Sequence, residues 1–519
     1  MKRISVTFLL GVVILALGLG AAEAERGGKL VVGMVDEPDT LDPQQAFWTT
    51  TIHDSIVQPL IQYDFEGNVV PDLAKWEVSE DGKVITFYIL PGAKFSNGDP
   101  VNAEAVKKSI ERYKAISPYA ADFDPIKEME VVDEYTLKLI HDVPPAFMIA
   151  VLTTNYGAPV NVKVAEEVGD EAFGRETIGS GPFKLKEWVH GSHIVVERND
   201  YYQTYLPLVE NTGPPYLDEV EFRFIPEDLT RIAELEAGTV DMIFGVPTAE
   251  VRRIKEDPKF QMWETLAPGI TYLVFNTRRP PFDDALVRQA VAMSIDRRPI
   301  VTILDEVVIP YHSLLSPAQI SYSKEVEEWA KERFPYDPER SKELLAQAGW
   351  TDTDGDGVVD KDGVPFSVVL LSPVDDPLRA KIDVIILTQL EAIGIDVEIQ
   401  EFEFSYIRQK MREGDFDMGL GRYSWSDPDI LYYAFVIEPT YSGWINPEVT
   451  ALLEEARYIM DTEKRRETYA QAQKIILENA PYVPLFVRKS YMAAWDYVKG
   501  LVVHPLYGSP FFNDVTLEK

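Results

Sequence analysis

Two stretches of this 519-residue chain carry side chains grouped densely enough to do chemistry. The first, TDTDGDGVVDKDG at 351–363, sets Asp352, Asp354, Asp356, Asp360 and Asp362 among glycines. Alternating carboxylates with a glycine at the sixth place are what an oxygen-ligating calcium loop requires. Asp352, Asp354, Asp356 and Gly357 fit the pattern D-x-[DN]-x-[DN]-G-x5-E, but its last place is Gly363 instead of a bidentate glutamate. Asp360 and Asp362 could make up the missing ligand. A helical pattern flanks the loop on one side only, Pro338–Ala348, and Val364–Leu371 beyond it reads as a strand, so this is no EF-hand. Two expectations follow: a structural calcium ion held by the aspartates, or a bare Asp/Gly hairpin.

The second stretch, GRYSWSDPDILYYAF at 421–435, gathers Tyr423, Trp425, Tyr432 and Tyr433 beside Asp427, with Trp444 and Asn446 following. Flat rings flanked by Asp and Asn suit a sugar, stacking on its C–H faces while polar groups take its hydroxyls. The competing reading is that the rings pack a core. Other chemistries find less support. There is no cysteine, which removes disulfides, thiolate metal sites, cysteine nucleophiles and a lipid-modified N-terminal cysteine. The six histidines form no H-x3-H spacing that would favour nickel. No Walker A string, H-E-x-x-H or G-x-S-x-G is present. A secreted hydrolase working through two carboxylates stays open as a remote alternative, because such pairs meet only in the fold.

The elements that must position these residues read as α/β throughout, short apolar runs of strand length alternating with helical periodicity. Lys29–Val35 and Val84–Leu90 are strand-like. A helix is expected from Asn102 to Tyr113, with Asn102 as its start and Glu104 in its first turn. Asp283–Asp284 caps ALVRQAVAMSI, whose Leu286, Val287, Ala290, Val291 and Ile295 share a face. Asn446-Pro447-Glu448 is a cap, an N1 proline and a first-turn acid for another helix, and Thr462–Asn479 is amphipathic.

A net charge of −35 argues against nucleic acid, since a phosphate backbone would be repelled. Lys2 and Arg3, the uncharged run Ile4–Gly20 and Ala22-Glu23-Ala24 form a secretory signal peptide pattern, with cleavage expected after residue 24. An uncleaved anchor is the rival reading. The expected product is soluble and extracytoplasmic.

Several stretches together point to one family: EPDTLDPQ (37–44), GSGPFKLKEWVHGSHIVVERNDYY (179–202), YLVFNTRRPPFDDALVRQAVAMSIDRRPIV (272–301) and NPEVTALLEEA (446–456). From about residue 29 to its end the chain resembles the extracellular solute-binding proteins of family 5, peptide, nickel and oligosaccharide receptors of ABC importers. The resemblance implies a bilobal periplasmic-binding-protein fold of type II. Domain I would comprise 25–60, 178–270 and 488–519, domain II 61–177 and domain III 271–487, with a hinge near Gly179, Asn276 and Arg488. It implies a monomer without chemistry of its own, needing no cofactor. Such a receptor closes on a ligand between lobes and hands it to a membrane permease driven by separate ATPase subunits.

In peptide-binding relatives an aspartate of domain III, three residues before a D-P-D-like string, holds the ligand's amino end. Here the string is Asp427-Pro428-Asp429 and that position is Ser424, which cannot neutralise an ammonium; Asp427 could substitute. Relatives place ligand-facing backbone after the LDPQ string, which points to Trp48 and Thr49. A short peptide is the expected ligand, and an oligosaccharide stacked on Trp425 and Trp444 the alternative.

Overall fold

The computed structural model describes residues 26–304, 307–374, 377–437 and 441–519, so the signal-peptide pattern lies outside the described residues. One large mixed sheet runs through the molecule. Its order is Asp396–Phe402, Ser367–Pro373, Met418–Arg422, Thr271–Phe275, Tyr482–Trp495, Met242–Phe244, Lys29–Met34, Glu219–Phe224, His193–Arg198, Phe183–Val189. Phe260–Leu266 and Val308–Pro310 also pair with Tyr482–Trp495, making twelve strands among the described residues.

The 14-residue strand Tyr482–Trp495 joins two halves of this sheet. Its first half pairs with Thr271–Phe275 and Val308–Pro310, where Val308 lies opposite Arg488. Its second half pairs with Phe260–Leu266 and Met242–Phe244, where Leu266 lies opposite Lys489. The change of partner falls between two consecutive residues. Buried on both faces, much of this strand reads as a nearly unbroken apolar run instead of an alternation.

A separate four-stranded antiparallel sheet, Ala74–Val78, Val84–Ile89, Thr136–His141 and Ile126–Asp133, carries the helix Ala103–Ile116. Val84–Ile89 alternates buried Ile85, Phe87 and Ile89 with more exposed neighbours, as a sheet packed on one face must. Three hydrophobic clusters correspond to these parts. One spans Ile232 to Ala493 and follows the long strand, one joins Leu30 to Val515, and one covers Leu60 to Leu152.

The capping signals have their expected partners. Asn102, Asp284 and Asn446 accept from the first-turn N–H groups of helices Ala103–Ile116, Ala285–Ser294 and Pro447–Ala456. Thr462–Asn479 is helical over its whole predicted length. Beyond the aspartate loop the strand differs from expectation. Val364–Pro365 first turns back on Asp360–Lys361 as a small hairpin, and Ser367–Pro373 then enters the main sheet.

Candidate ligand cleft

The EPDTLDPQ string is a structural clasp. Asp42, fully buried, accepts from Arg112 Nη2 at 2.7 Å and caps the N–H of Gln44 at 3.0 Å. Gln44 in turn accepts from Arg112 Nη1 at 2.8 Å. This ties the segment to helix Ala103–Ile116 and sets the course of Phe47–Thr50. Buried His53 completes the turn: its Nδ1 accepts the Thr50 N–H at 3.0 Å, so Nε2–H donates to the Thr40 carbonyl at 2.9 Å. Burial pushes the imidazole down to about 4, which keeps it neutral in that role.

The Gly-Ser-Gly-Pro string is a backbone crossing. A Cβ on Gly179 would lie 2.3 Å from the Ile56 carbonyl oxygen, and one on Gly181 2.5 Å from the Ile56 carbonyl carbon. The Gly181 N–H donates to that same carbonyl at 2.8 Å. Only glycine permits such an approach.

Between these devices lies a cavity of about 200 Å³. Its floor comes from Thr49–Gln62, from Thr153–Tyr156 and from the C-terminal run His504–Asn513. Trp425, half-buried, enters the lining from the opposite lobe. The Trp425 backbone is pinned by its N–H to the Pro268 carbonyl at 2.7 Å, and by Gln319 Nε2 to its own carbonyl at 2.8 Å. Its ring meets Tyr433 at 5.5 Å.

The lobes touch around the cavity. Tyr433 O–H donates to Asp122 at 3.2 Å, and the Phe147 N–H to the Arg457 carbonyl at 3.2 Å. The Arg457 guanidinium sits 3.9 Å from the Phe147 ring centre and 4.1 Å from that of Tyr432. Ile320 packs with Tyr63 and Leu506.

Two carboxylates line the cavity, Asp54 and Asp72. Asp72 is held by the protein, accepting from Gln58 at 2.7 Å, Gln62 at 2.7 Å and Thr204 at 2.6 Å. Burial raises it to about 6, against the pull of those donors. Asp54 keeps partial exposure, faces the cavity and is flanked by Ser509 and Asn155, whose hydrogen bonds oppose the upward push of burial. His504 also lines the space, held neutral by burial with Nε2–H on the Tyr63 carbonyl at 2.8 Å. No lysine or arginine is among the described lining residues.

Of the eight ligand residues expected from sequence, Thr49 and Trp425 line the cavity. The structure places four others outside the lining. Asp427, fully buried, cannot stand in for an amino anchor, because Arg465 grips it with two bonds of 2.8 and 2.9 Å. Tyr423 is buried against Tyr272 and donates its hydroxyl to the Leu314 carbonyl. Trp444 packs edge-on to Phe435 in the large core. Asn446 spends its side-chain oxygen on the Glu448 and Val449 N–H groups. Ser424 is exposed and Trp48 is 40% exposed, both outside the lining. Sequence reasoning missed Asp54, Asn155 and the C-terminal run. TIHDSI and YGSPFFN carry no spacing that marks a site; they meet only through the clasp and the backbone crossing.

In the aspartate loop, ligand oxygens of Asp352, Asp354 and Asp356 lie within 4.8 Å of one another, all exposed. Asp360 and Asp362 do not join that group. Asp360 is taken by the N–H and hydroxyl of Thr353, at 2.9 and 2.6 Å, and Asp362 occupies a left-handed turn at φ 54°. Backbone N–H groups already bind the inner three: Gly355 and Gly357 donate to Asp352, Asp356 to Asp354 and Val358 to Asp356.

The profile of the bacterial extracellular solute-binding proteins, family 5, matches residues 68–442. The chain belongs to this family. Among family 5 relatives, it is 29% identical over 506 residues to the oligopeptide-binding protein AppA of Bacillus subtilis, covering 93% of this chain and 91% of the relative. It is 30% identical over 518 residues to the probable D,D-dipeptide-binding periplasmic protein DdpA of Escherichia coli, covering 94% of each. The solved structure of AppA with a nonapeptide superposes with a TM-score of 0.76 at 28% identity, covering 96% of this chain and all of that one. These family 5 relatives are named as binding proteins. Among the described residues, no helix is long and apolar enough to cross a membrane.

Proposed function

We propose that the protein is the extracytoplasmic receptor of an ABC importer, which encloses a short peptide between its lobes and delivers it to the membrane permease. Its lobes would follow the expected limits, domains I and II against domain III, and turn about Gly179, Asn276 and Arg488. The observation that carries the reading is the cavity itself, walled by one lobe and closed by Trp425 of the other. A ligand that touches both lobes binds the closed state better than the open one, and that difference drives closure. A volume of about 200 Å³ falls below the roughly 300–1,000 Å³ of drug-sized pockets, so the enclosed ligand is small. The polar lining of Thr49, Thr50, Asn155 and Asn513 suits hydrogen bonding to peptide N–H and C=O groups.

An oligosaccharide is the second reading, favoured by Trp425, Tyr156 and Tyr507 in the lining, rings that a sugar could stack on. Thermal shift of the mature protein against short peptides and β-linked oligosaccharides separates the two. Peptides are expected to raise Tm; a shift with sugars alone would remove the peptide reading. Stoichiometric binding without turnover is expected for both, and hydrolysis of either panel would bring back the enzyme alternative.

A further inference from the structure

The cavity has carboxylates but no cation, and its two acids differ in kind. Asp72 is 2% exposed and its carboxylate is already held by three protein donors. Asp54 faces the open volume with only neutral side chains, Ser509 and Asn155, bonded to it. The other titratable groups of the lining are His504, neutral on the Tyr63 carbonyl, and the phenols Tyr156, Tyr202 and Tyr507. None of them supplies a positive charge at neutral pH.

A carboxylate crowded by protein without a counter-ion is costly, and a ligand cation placed beside it removes that cost. Across the cavity, Trp425 is the one described lining residue from 271–487 and brings no carboxylate, while Asp427 behind it is spent on Arg465. We propose that Asp54 is the specificity-determining anchor of the cavity, taking the charged nitrogen of a primary amine, such as the amino end of a short peptide, on the same wall as Thr49. The inference rests on the receptor reading above. It also implies that a ligand's carboxylate, if present, meets no lysine or arginine among the described lining residues, so that end contributes little.

Calorimetric titration of the mature protein with Ala-Ala, N-acetyl-Ala-Ala, Ala-Ala amide and cellobiose tests it. Free-amine Ala-Ala and its amide are expected to bind alike, and N-acetylation to weaken binding at least tenfold. Asp54→Asn should weaken Ala-Ala to the level of the acetylated peptide, while the ligand-free Tm at pH 7 stays level or rises, since a carboxylate without a counter-ion has been removed. Acetylated and free peptide binding equally, or Asp54→Asn leaving Ala-Ala affinity unchanged, overturns the anchor and leaves the peptide receptor standing. A lowered ligand-free Tm in Asp54→Asn overturns it too, by giving Asp54 a structural role. Binding of cellobiose alone overturns the anchor and the peptide reading but not the receptor. Silence from all four probes overturns anchor and peptide reading together.

Discussion

Single residues divide here between those that hold the fold and those that face the ligand, and burial with hydrogen-bond occupancy tells them apart. Trp425 has a pinned backbone and a ring in the cavity. Trp425→Ala is therefore expected to weaken ligand binding by more than about 1 kcal/mol while leaving Tm nearly level, measured by titration and melting. Asp427→Ala should do the reverse. It strands Arg465 as an uncompensated buried charge, with a loss of about 3–5 kcal/mol in denaturant unfolding. Asp72 carries a pH signature. Its pKa is raised to about 6 in the fold, so the folded state binds that proton more tightly than the unfolded chain. Its contribution to stability is full below the ordinary carboxylate range near 4 and is lost as pH rises through 6. Asp72→Asn should flatten that part of the stability–pH curve. The slope is the readout, because an amide there would also oppose one glutamine NH2.

Among elements, the caps were the most legible, since a cap is a contact between residues two or three apart. Asn446→Ala is expected to cost about 1 kcal/mol through loss of two N–H acceptances, without changing which ligand binds; chemical denaturation and a repeat of the ligand panel check both halves. The aspartate loop was legible in outline only. Its alternating carboxylates do converge at 352, 354 and 356, but Thr353 diverts Asp360, and the short hairpin Asp360–Pro365 points the rest of the loop elsewhere. Three exposed carboxylates within 4.8 Å repel one another, so a divalent ion would relieve them. Chelation is expected to lower Tm slightly and leave the ligand profile unaltered; a changed profile would tie the loop to the cleft.

For the whole molecule, the contacts across the cavity would, on the proposed receptor reading, set how long a ligand stays. The Tyr433 hydroxyl bridges to Asp122, which also accepts from Tyr113 at 3.0 Å, so deleting the bridge leaves no orphaned acid. Tyr433→Phe should weaken closure by about 1 kcal/mol. The expected consequence is a several-fold faster ligand off-rate in stopped flow, with the ligand-free Tm unchanged. An unaltered off-rate would leave closure to the other contacts, the stacked Arg457, the Phe147 N–H and Ile320 against Tyr63 and Leu506.

The sequence by itself determined what depends on near neighbours: the α/β alternation, the helix starts, the strings that mark family 5, and the absence of cysteine chemistry. Tertiary structure alone decided which side chains face the cavity. Asp54, Asn155, Ser509 and Trp425 come from four distant parts of the chain and meet because Asp42 is clasped by Arg112 and glycines 179 and 181 let two backbones cross. The same closeness gives Asp427, Tyr423 and Trp444 partners away from the cavity. A charged or aromatic residue declares its chemistry in the sequence, but whether that chemistry is free depends on who stands beside it. Arg465 is the case in point, 38 residues from the aspartate it occupies.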